Sequence, residues 1–258
     1  MAAIIPIPAF SDNYIWLLRE GSDAVVVDPG DADPVIKFLG CEGLTLRAIV
    51  TTHHHPDHVG GVTELLARSS VPVFGPAHER IPGRTRALEE NDAIVLPGIG
   101  LELLVLDVPG HTAGHIAYVS GGADPIALVG DTLFAGGCGR LFEGTPAQMA
   151  ASLAKLAALP GATSVYCAHE YTLANLRFAQ AVEPGNAALR LRTSREQDKR
   201  DRGLPTVPST IADERATNPF LRCAEPAVIA AAQAHAARSL DGPVDTFAVL
   251  RAWKNDFR

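Results

Sequence analysis

The run Thr52-His53-His54-His55-Pro56-Asp57-His58 places three imidazoles and a carboxylate, at His53, His55, Asp57 and His58, directly after the apolar segment RAIVTT. Neutral imidazole nitrogen and carboxylate oxygen are the donors that divalent zinc, iron or manganese accepts. In an extended loop alternate side chains face one way, so His53 and His55 converge on one ion. Asp57 and His58, where the next helix opens, reach a second ion, and His54 points away. A polar loop with incidental histidines is the competing reading. It is weakened by the rest of the chain: His111 follows LELLVLDVPG, Asp131 follows PIALVG and His169 follows TSVYCA. Donors that recur at the ends of buried strands can gather at one edge of a sheet, where α/β folds place their sites. The set divides into His53, His55 and His111 for one ion, Asp57, His58 and His169 for the other, and Asp131 bridging both.

The elements that must carry these donors are visible in the pattern. Apolar, β-rich runs bounded by turn residues predict strands over Ile4–Pro8, Tyr14–Leu18, Ala24–Val27, Arg47–Thr52, Leu101–Val108, Ile116–Ser120, Ile126–Val129 and Thr163–Cys167. Helical spacing appears over Pro34–Leu39, His58–Arg68 and Pro146–Ala158, the last opened by a Thr145-Pro146 cap. After Tyr171 strand-like runs vanish and helices are expected over 171–183, 186–202, 225–238 and 244–256, with 203–224 as an extended connection. A sheet-rich domain over 1–170 and a helical domain over 171–258 follow.

Composition narrows the function classes. The chain has 258 residues, a formal net charge of −7 and no long Lys or Arg run, so nucleic acid is not an expected partner. The N-terminal MAAIIPIPAFSDNYIW has no basic start and turns polar early, so neither a secretory signal nor a membrane span is expected. Cys41, Cys138, Cys167 and Cys223 form no CxxC pair and read as reduced thiols. A cytoplasmic monomer is the expected state.

HHHPDH with His111, Asp131 and His169 resembles the metallo-β-lactamase superfamily, whose signature is HxHxDH. Over nearly the whole chain the sequence is similar to the glyoxalase II (hydroxyacylglutathione hydrolase) family, in a bacterial form. The segments SDNYIWLL, VVVDPG, THHHPDHVGG and PGHTAGH are shared widely in the superfamily; GDTLFAGGCGRLFEG, CAHEYTLANLRFA, NPFLR and RAWKNDF are more specific. The resemblance implies an α+β fold, a metallo-β-lactamase αβ/βα sandwich with a small C-terminal helical domain. It also implies two divalent metal ions per chain, zinc first with iron or manganese as alternatives. The implied reaction is hydrolysis of S-D-lactoylglutathione and related S-2-hydroxyacylglutathiones to D-lactate and glutathione, the second step of methylglyoxal detoxification. Arg140, Phe142, Tyr171, Arg251 and Lys254 fall where the family holds glutathione. Eukaryotic members carry lysine at the Arg140 position and tyrosine at that of Phe142, which has no hydroxyl to donate.

The chemistry is consistent with that reading. A glutathione conjugate carries two carboxylates, and arginine offers a planar fork suited to them; without the resemblance, Arg251 and Lys254 would read as a solvated helix face. Two ions can lower the pKa of a shared water to about 7, supplying hydroxide to attack the thioester carbonyl. The leaving thiol, with a pKa of about 8.5, departs as thiolate without a strong acid. Asp57 and Asp131 are then the carboxylates nearest the chemistry, Asp57 as ligand rather than general base. Asp28 in VVVDPG and His115 are candidates to hold the outer N–H of a ligand histidine, against an ordinary turn aspartate and a core histidine. His78 and His235 lack ligand company and read as structural. Among rivals, a lactonase or nuclease of the same superfamily shares every donor and differs in the helical C-terminal part. A single-iron dioxygenase would not need Asp57, His58 and His169 in full. A diiron electron-transfer protein would carry a carboxylate in place of His55 and a flavin domain.

Overall fold

The computed structural model describes residues 2–257. The chain divides into two compact units, one running to Asp107 and taking in Ala113–Gly130, the other made of Val108–Thr112 and the chain from Asp131 on.

In the first unit β1 (Ala3–Ala9), β2 (Asn13–Glu20) and β3 (Asp23–Val27) form an antiparallel meander, which continues in parallel through β4 (Thr45–Val50), β5 (Val73–Pro76) and β6 (Arg86–Leu88). Strands covered on both faces need uninterrupted apolar sequence, and AVVV of β3 and AIV of β4 are buried throughout. Helix α1 (Ala32–Glu42) bridges β3 and β4; Asp31 caps it by accepting from Asp33 N–H at 3.0 Å. Two short helices, α2 (Pro56–Val59) and α3 (Val62–Arg68), bridge β4 and β5. Val35 of α1 and Val62 and Leu65 of α3 pack with Ile15, Leu17, Val26 and Ile49 in one core. The single helix expected over His58–Arg68 is thus two. The break is Gly61, whose N–H donates to Pro29 O at 2.9 Å; a Cβ there would lie 2.6 Å from Ala32 N. Close approach of the β3–α1 turn interrupts the helix and needs glycine.

The same unit holds β7 (Ala93–Val95), β8 (Glu102–Asp107), β9 (Ile116–Val119) and β10 (Ile126–Gly130), an antiparallel run in the order β10-β9-β8-β7. The end of β4 is fastened to β9, because Ile116 N–H donates to Thr52 O at 3.0 Å and the buried Tyr118 hydroxyl donates to Thr51 O at 2.8 Å. Burial, then the charge of Asp28, holds the Tyr118 pKa well above its ordinary value, so the phenol stays a donor.

In the second unit a hairpin of β11 (Leu133–Phe134) and β12 (Gly137–Cys138) precedes α4 (Pro146–Ala157), which opens on a capping box between Thr145 and Gln148. Strand β13 (Ser164–Cys167) pairs with β14 (Ser209–Thr210). The helices are α5 (Thr172–Val182), α6 (Ala187–Asp201), α7 (Ile211–Thr217), α8 (Pro226–Ala236) and α9 (Pro243–Asp256), with a 3₁₀ turn over Pro219–Leu221. Phe178 of α5 stacks on Phe220 of that turn at 5.9 Å between centroids, and Phe220 meets Phe247 of α9 edge to face at 5.7 Å. The 203–224 stretch, expected to be extended, contains α7. Thr210 caps it by accepting from Asp213 N–H at 3.1 Å, and Asp213 and Glu214 stand in its first turn; flanking prolines hid so short a helix.

Cys41, Cys138, Cys167 and Cys223 are free thiols, and burial pushes Cys167 and Cys223 up to about 12. Among the described residues no helix is long and apolar enough to cross a membrane. The β4–β9 fastening yields a stability prediction: Tyr118→Phe deletes one buried hydrogen bond and should cost about 1–2 kcal/mol, read as a lower urea midpoint at unchanged m-value.

Candidate metal centre

Each unit gathers a histidine–aspartate donor set, and in each the proton positions follow from the neighbours. In the first unit Asp28 ends β3 with φ 52° and is only 4% exposed. Its carboxylate accepts from Thr52 N–H and from the Thr52 hydroxyl, both at 2.7 Å, and lies 3.1 Å from His58 Nδ1. Since the Thr52 hydroxyl gives its proton to Asp28, its oxygen accepts from His53 Nδ1–H at 3.1 Å. His53 and His58 are therefore both held as Nδ1–H tautomers, with Nε2 left as the basic nitrogen. His53 Nε2 faces His55 Nδ1 at 3.1 Å, a pair of ring nitrogens that can share one proton or one cation. Asp57 lies with one oxygen 3.6 Å from His58 Nε2, and the same oxygen accepts from the Asn13 amide at 3.1 Å. His115 stacks on the His53 ring at 4.5 Å, while His54 turns aside to Glu79 at 3.0 Å. Asn13 and Glu79 escaped the sequence reading. Asn13 sits in SDNYIW, but its contact partner is 44 positions away; no local pattern signals it.

In the second unit His111 Nδ1–H donates to Arg140 O at 2.9 Å, which again leaves Nε2 basic. That Nε2 lies 3.4 Å from Asp131 Oδ2, and His169 Nε2 lies 3.3 Å from the same oxygen. One carboxylate oxygen thus lies between two imidazole nitrogens. The turn carrying His111 is fixed by Ser152 Oγ–H donating to Pro109 O at 2.7 Å and by Phe142 N–H donating to His111 O at 3.2 Å. Gly139 is required beside it, because a Cβ would lie 2.0 Å from Asp131 O. His169 stacks flat on Tyr171 at 4.7 Å and meets the edge of Phe134. Buried, hydrogen-bond-oriented imidazoles with carboxylates form a donor set that fits a divalent metal ion.

The remaining candidates also lie in this unit. Phe142 and Tyr171 are 62% and 37% exposed, and Arg140 is exposed as well. Lys254 is half-buried, its Nζ over the Phe178 ring at 5.6 Å. Burial, then the positive charges of Arg251, Arg177 and Arg140, lower its pKa from 10.5. Arg251 is only 6% exposed, donates to Cys138 O at 2.7 Å and to Asn255 Oδ1 at 3.1 Å, and lies over the Phe220 ring. Its guanidinium thus faces backbone carbonyl groups of the β11–β12 hairpin. Arg177, absent from the sequence-based set, joins this cationic group.

Residues 9–169 match the family model described as Metallo-beta-lactamase superfamily. A solved structure, ETHE1 from Myxococcus xanthus, superposes with a TM-score of 0.65 at 24% identity, over 98% of each chain. The fold is that superfamily's, α+β with mixed sheets and a helical C-terminal part. Residues 170–257 match the model described as Hydroxyacylglutathione hydrolase C-terminus. A relative named hydroxyacylglutathione hydrolase, from Cupriavidus taiwanensis, is 60% identical over 100% of both chains. The chain belongs to the hydroxyacylglutathione hydrolase family. TTHA1623, solved in a di-iron-bound form, has a TM-score of 0.55 at 30% identity and covers 64% of this chain and 91% of its own.

The Asp28 contacts predict that Asp28→Asn, which tolerates a positive φ but lacks the charge facing His58, will weaken metal retention about 10–100-fold. Zinc content after dialysis against graded chelator checks this, with wild-type retention as the opposing result.

Proposed function

We propose that this chain is a thioester hydrolase that cleaves S-D-lactoylglutathione and related S-2-hydroxyacylglutathiones to the 2-hydroxy acid and glutathione. The observation that carries this reading is the loop from Asp131 to Arg140. It presents a carboxylate oxygen set between His111 and His169 at one end and an exposed guanidinium at the other. A metal ligand and an anion grip on one short segment suit a substrate with a reactive acyl group and a carboxylate-bearing thiol. The full-length relatives named hydroxyacylglutathione hydrolase support the same choice.

In this proposal His53, His55 and His111 would hold one divalent ion, Asp57, His58 and His169 would hold a second, and Asp131 would serve both. Zinc is the expected metal, with iron and manganese as alternatives; the di-iron form of TTHA1623 supports a pair of ions. When bound, such ions supply an activated water and polarise the thioester carbonyl. The protein's own share is positional. Asn13 orients Asp57, and Asp28 fixes the tautomers of His53 and His58. Arg140 and Lys254 hold a glutathione carboxylate, and Tyr171, stacked on His169, walls the acyl site. Water adds through its oxygen to the carbonyl carbon and loses its protons to bulk solvent, the carbon–sulfur bond breaks, and sulfur departs as thiolate, leaving the 2-hydroxy acid as its carboxylate; the cationic surroundings of Lys254 favour the thiolate charge. Residues 1–170 thus carry the metal ligands, while Arg140 and residues 171–258 serve the thiol moiety.

The test is hydrolysis of S-D-lactoylglutathione by metal-counted protein. About two metals per chain and thioester cleavage uphold the reading. Two metals with an intact thioester would redirect it to a lactone or phosphodiester hydrolase. Arg140→Ala and Lys254→Ala should each raise KM about 10-fold or more, the equivalent of a charge-assisted hydrogen bond, with a smaller change in kcat. The lowered Lys254 pKa adds a pH signature. The ammonium that grips a carboxylate is lost as pH rises through a value below 10.5. KM, corrected for background hydrolysis, should therefore climb earlier on the alkaline side than an ordinary lysine would allow, and Lys254→Arg should flatten that climb. A KM independent of pH there would remove Lys254 from the binding role.

A further inference from the structure

The β11–β12 hairpin lies between Asp131 and Arg140, and side chains from the C-terminal helices hold an unbroken series of its backbone groups. The Asn218 amide donates to Phe134 O at 3.3 Å and to Gly137 O at 2.9 Å. The Asn175 amide donates to Ala135 O at 3.2 Å. Gly136 N–H donates to Glu214 Oε2 at 2.8 Å, and Arg251 donates to Cys138 O at 2.7 Å. Glu214 is itself locked: its Oε1 pairs with Arg192 at 2.6 Å and its Oε2 also accepts from Asn218 at 2.9 Å. Arg192 is fixed in turn by the Thr217 hydroxyl at 2.7 Å. Glu214, Arg192, Asn218, Asn175 and Arg251 are all buried.

A buried carboxylate–guanidinium pair contributes little net stability, because desolvating both charges offsets their attraction. What such a pair does well is fix geometry, and here the fixed object is a glycine-rich hairpin whose backbone groups are held by those side chains. We infer that Glu214 and Asn218 are positioning residues for the Asp131–Arg140 loop. They transmit the packing of α6 and α7 into the placement of a metal ligand at one end and an anion-facing arginine at the other. The inference rests on the proposed roles of Asp131 and Arg140. Arg251 belongs to the same cradle: its NH1 is committed to Cys138 O, so it acts on the site by shaping the loop.

The test uses the zinc-loaded full chain and two variants. Asn218→Ser keeps an oxygen for the Phe220 N–H that Asn218 now caps and removes the amide that holds Phe134 and Gly137. Glu214→Gln removes the charge facing Arg192. The readouts are hydrogen exchange over 133–140, with the α8 peptide 226–236 as internal reference, zinc affinity by chelator competition, and KM against kcat. Asn218→Ser should speed exchange over 133–140 about 10-fold or more while the reference stays within about twofold. It should also weaken zinc about 10-fold and raise KM for the thioester, with circular dichroism unchanged. Glu214→Gln should show the same pattern more strongly, or fail to fold, in which case Asn218→Ser decides. Unchanged exchange over 133–140, or exchange rising equally in the reference, overturns the inference. If the wild type takes up no zinc, the metal reading fails, yet the exchange result still decides whether the cradle exists.

Discussion

A carboxylate removed from water is costly unless donors surround it, and Asp28 is surrounded by the groups that organise its unit. Its two oxygens accept from the Thr52 backbone and hydroxyl and meet His58 Nδ1. Through the Thr52 hydroxyl the same charge settles which nitrogen of His53 bears the proton. One buried charge thereby sets the end of β4, the loop that follows it and the basic face of two imidazoles. A left-handed backbone at an aspartate is tolerable because its short side chain bonds locally. Here those bonds are the ones that orient the histidines, so conformational strain and ligand orientation are parts of one arrangement.

The second unit reaches the same end by different means. There His111 Nδ1 is oriented by a backbone carbonyl, that of Arg140. A carbonyl is only as well placed as the loop that bears it. That loop is short and glycine-rich. Helical side chains supply the missing rigidity. This explains why GDTLFAGGCG reads as neither strand nor helix in sequence and yet is buried almost throughout.

What was legible in the sequence was whatever repeats at short range. Alternation and apolar runs marked β2, β3, β4 and β8, and the spacing of His and Asp made His53, His55, Asp57, His58, His111, Asp131 and His169 candidate donors. Contacts between distant positions left no such trace. Asn13 meets Asp57 across 44 positions and Arg251 meets Cys138 across 113, and nothing in the flanking residues announces either. Arg251 shows the difference most clearly. Its type and its place near Lys254 suggested a carboxylate grip; the fold buries its guanidinium, with NH1 donating to Cys138 O and NH2 to Asn255 Oδ1, partners that no local pattern announces. Short elements were lost for another reason. Strands β6 and β7 are three residues each and α7 is seven, too few for a period to emerge.

The net charge of −7 sets a condition on any anionic substrate, because the field of the whole molecule opposes its approach. Lys254 feels the opposite local sign, from Arg251, Arg177 and Arg140. Like charges held together destabilise one another, so the cluster is maintained by other contacts: the Phe178 and Phe220 rings under Lys254 and Arg251 and carbonyls as acceptors. An ammonium already destabilised by burial and repulsion gains more from a carboxylate than a solvated one does, since the carboxylate relieves both penalties. In the proposed hydrolysis the same destabilisation would make it a ready partner for a developing thiolate. Binding of the thiol moiety and departure of its sulfur would then draw on one feature, the cationic cluster around Lys254.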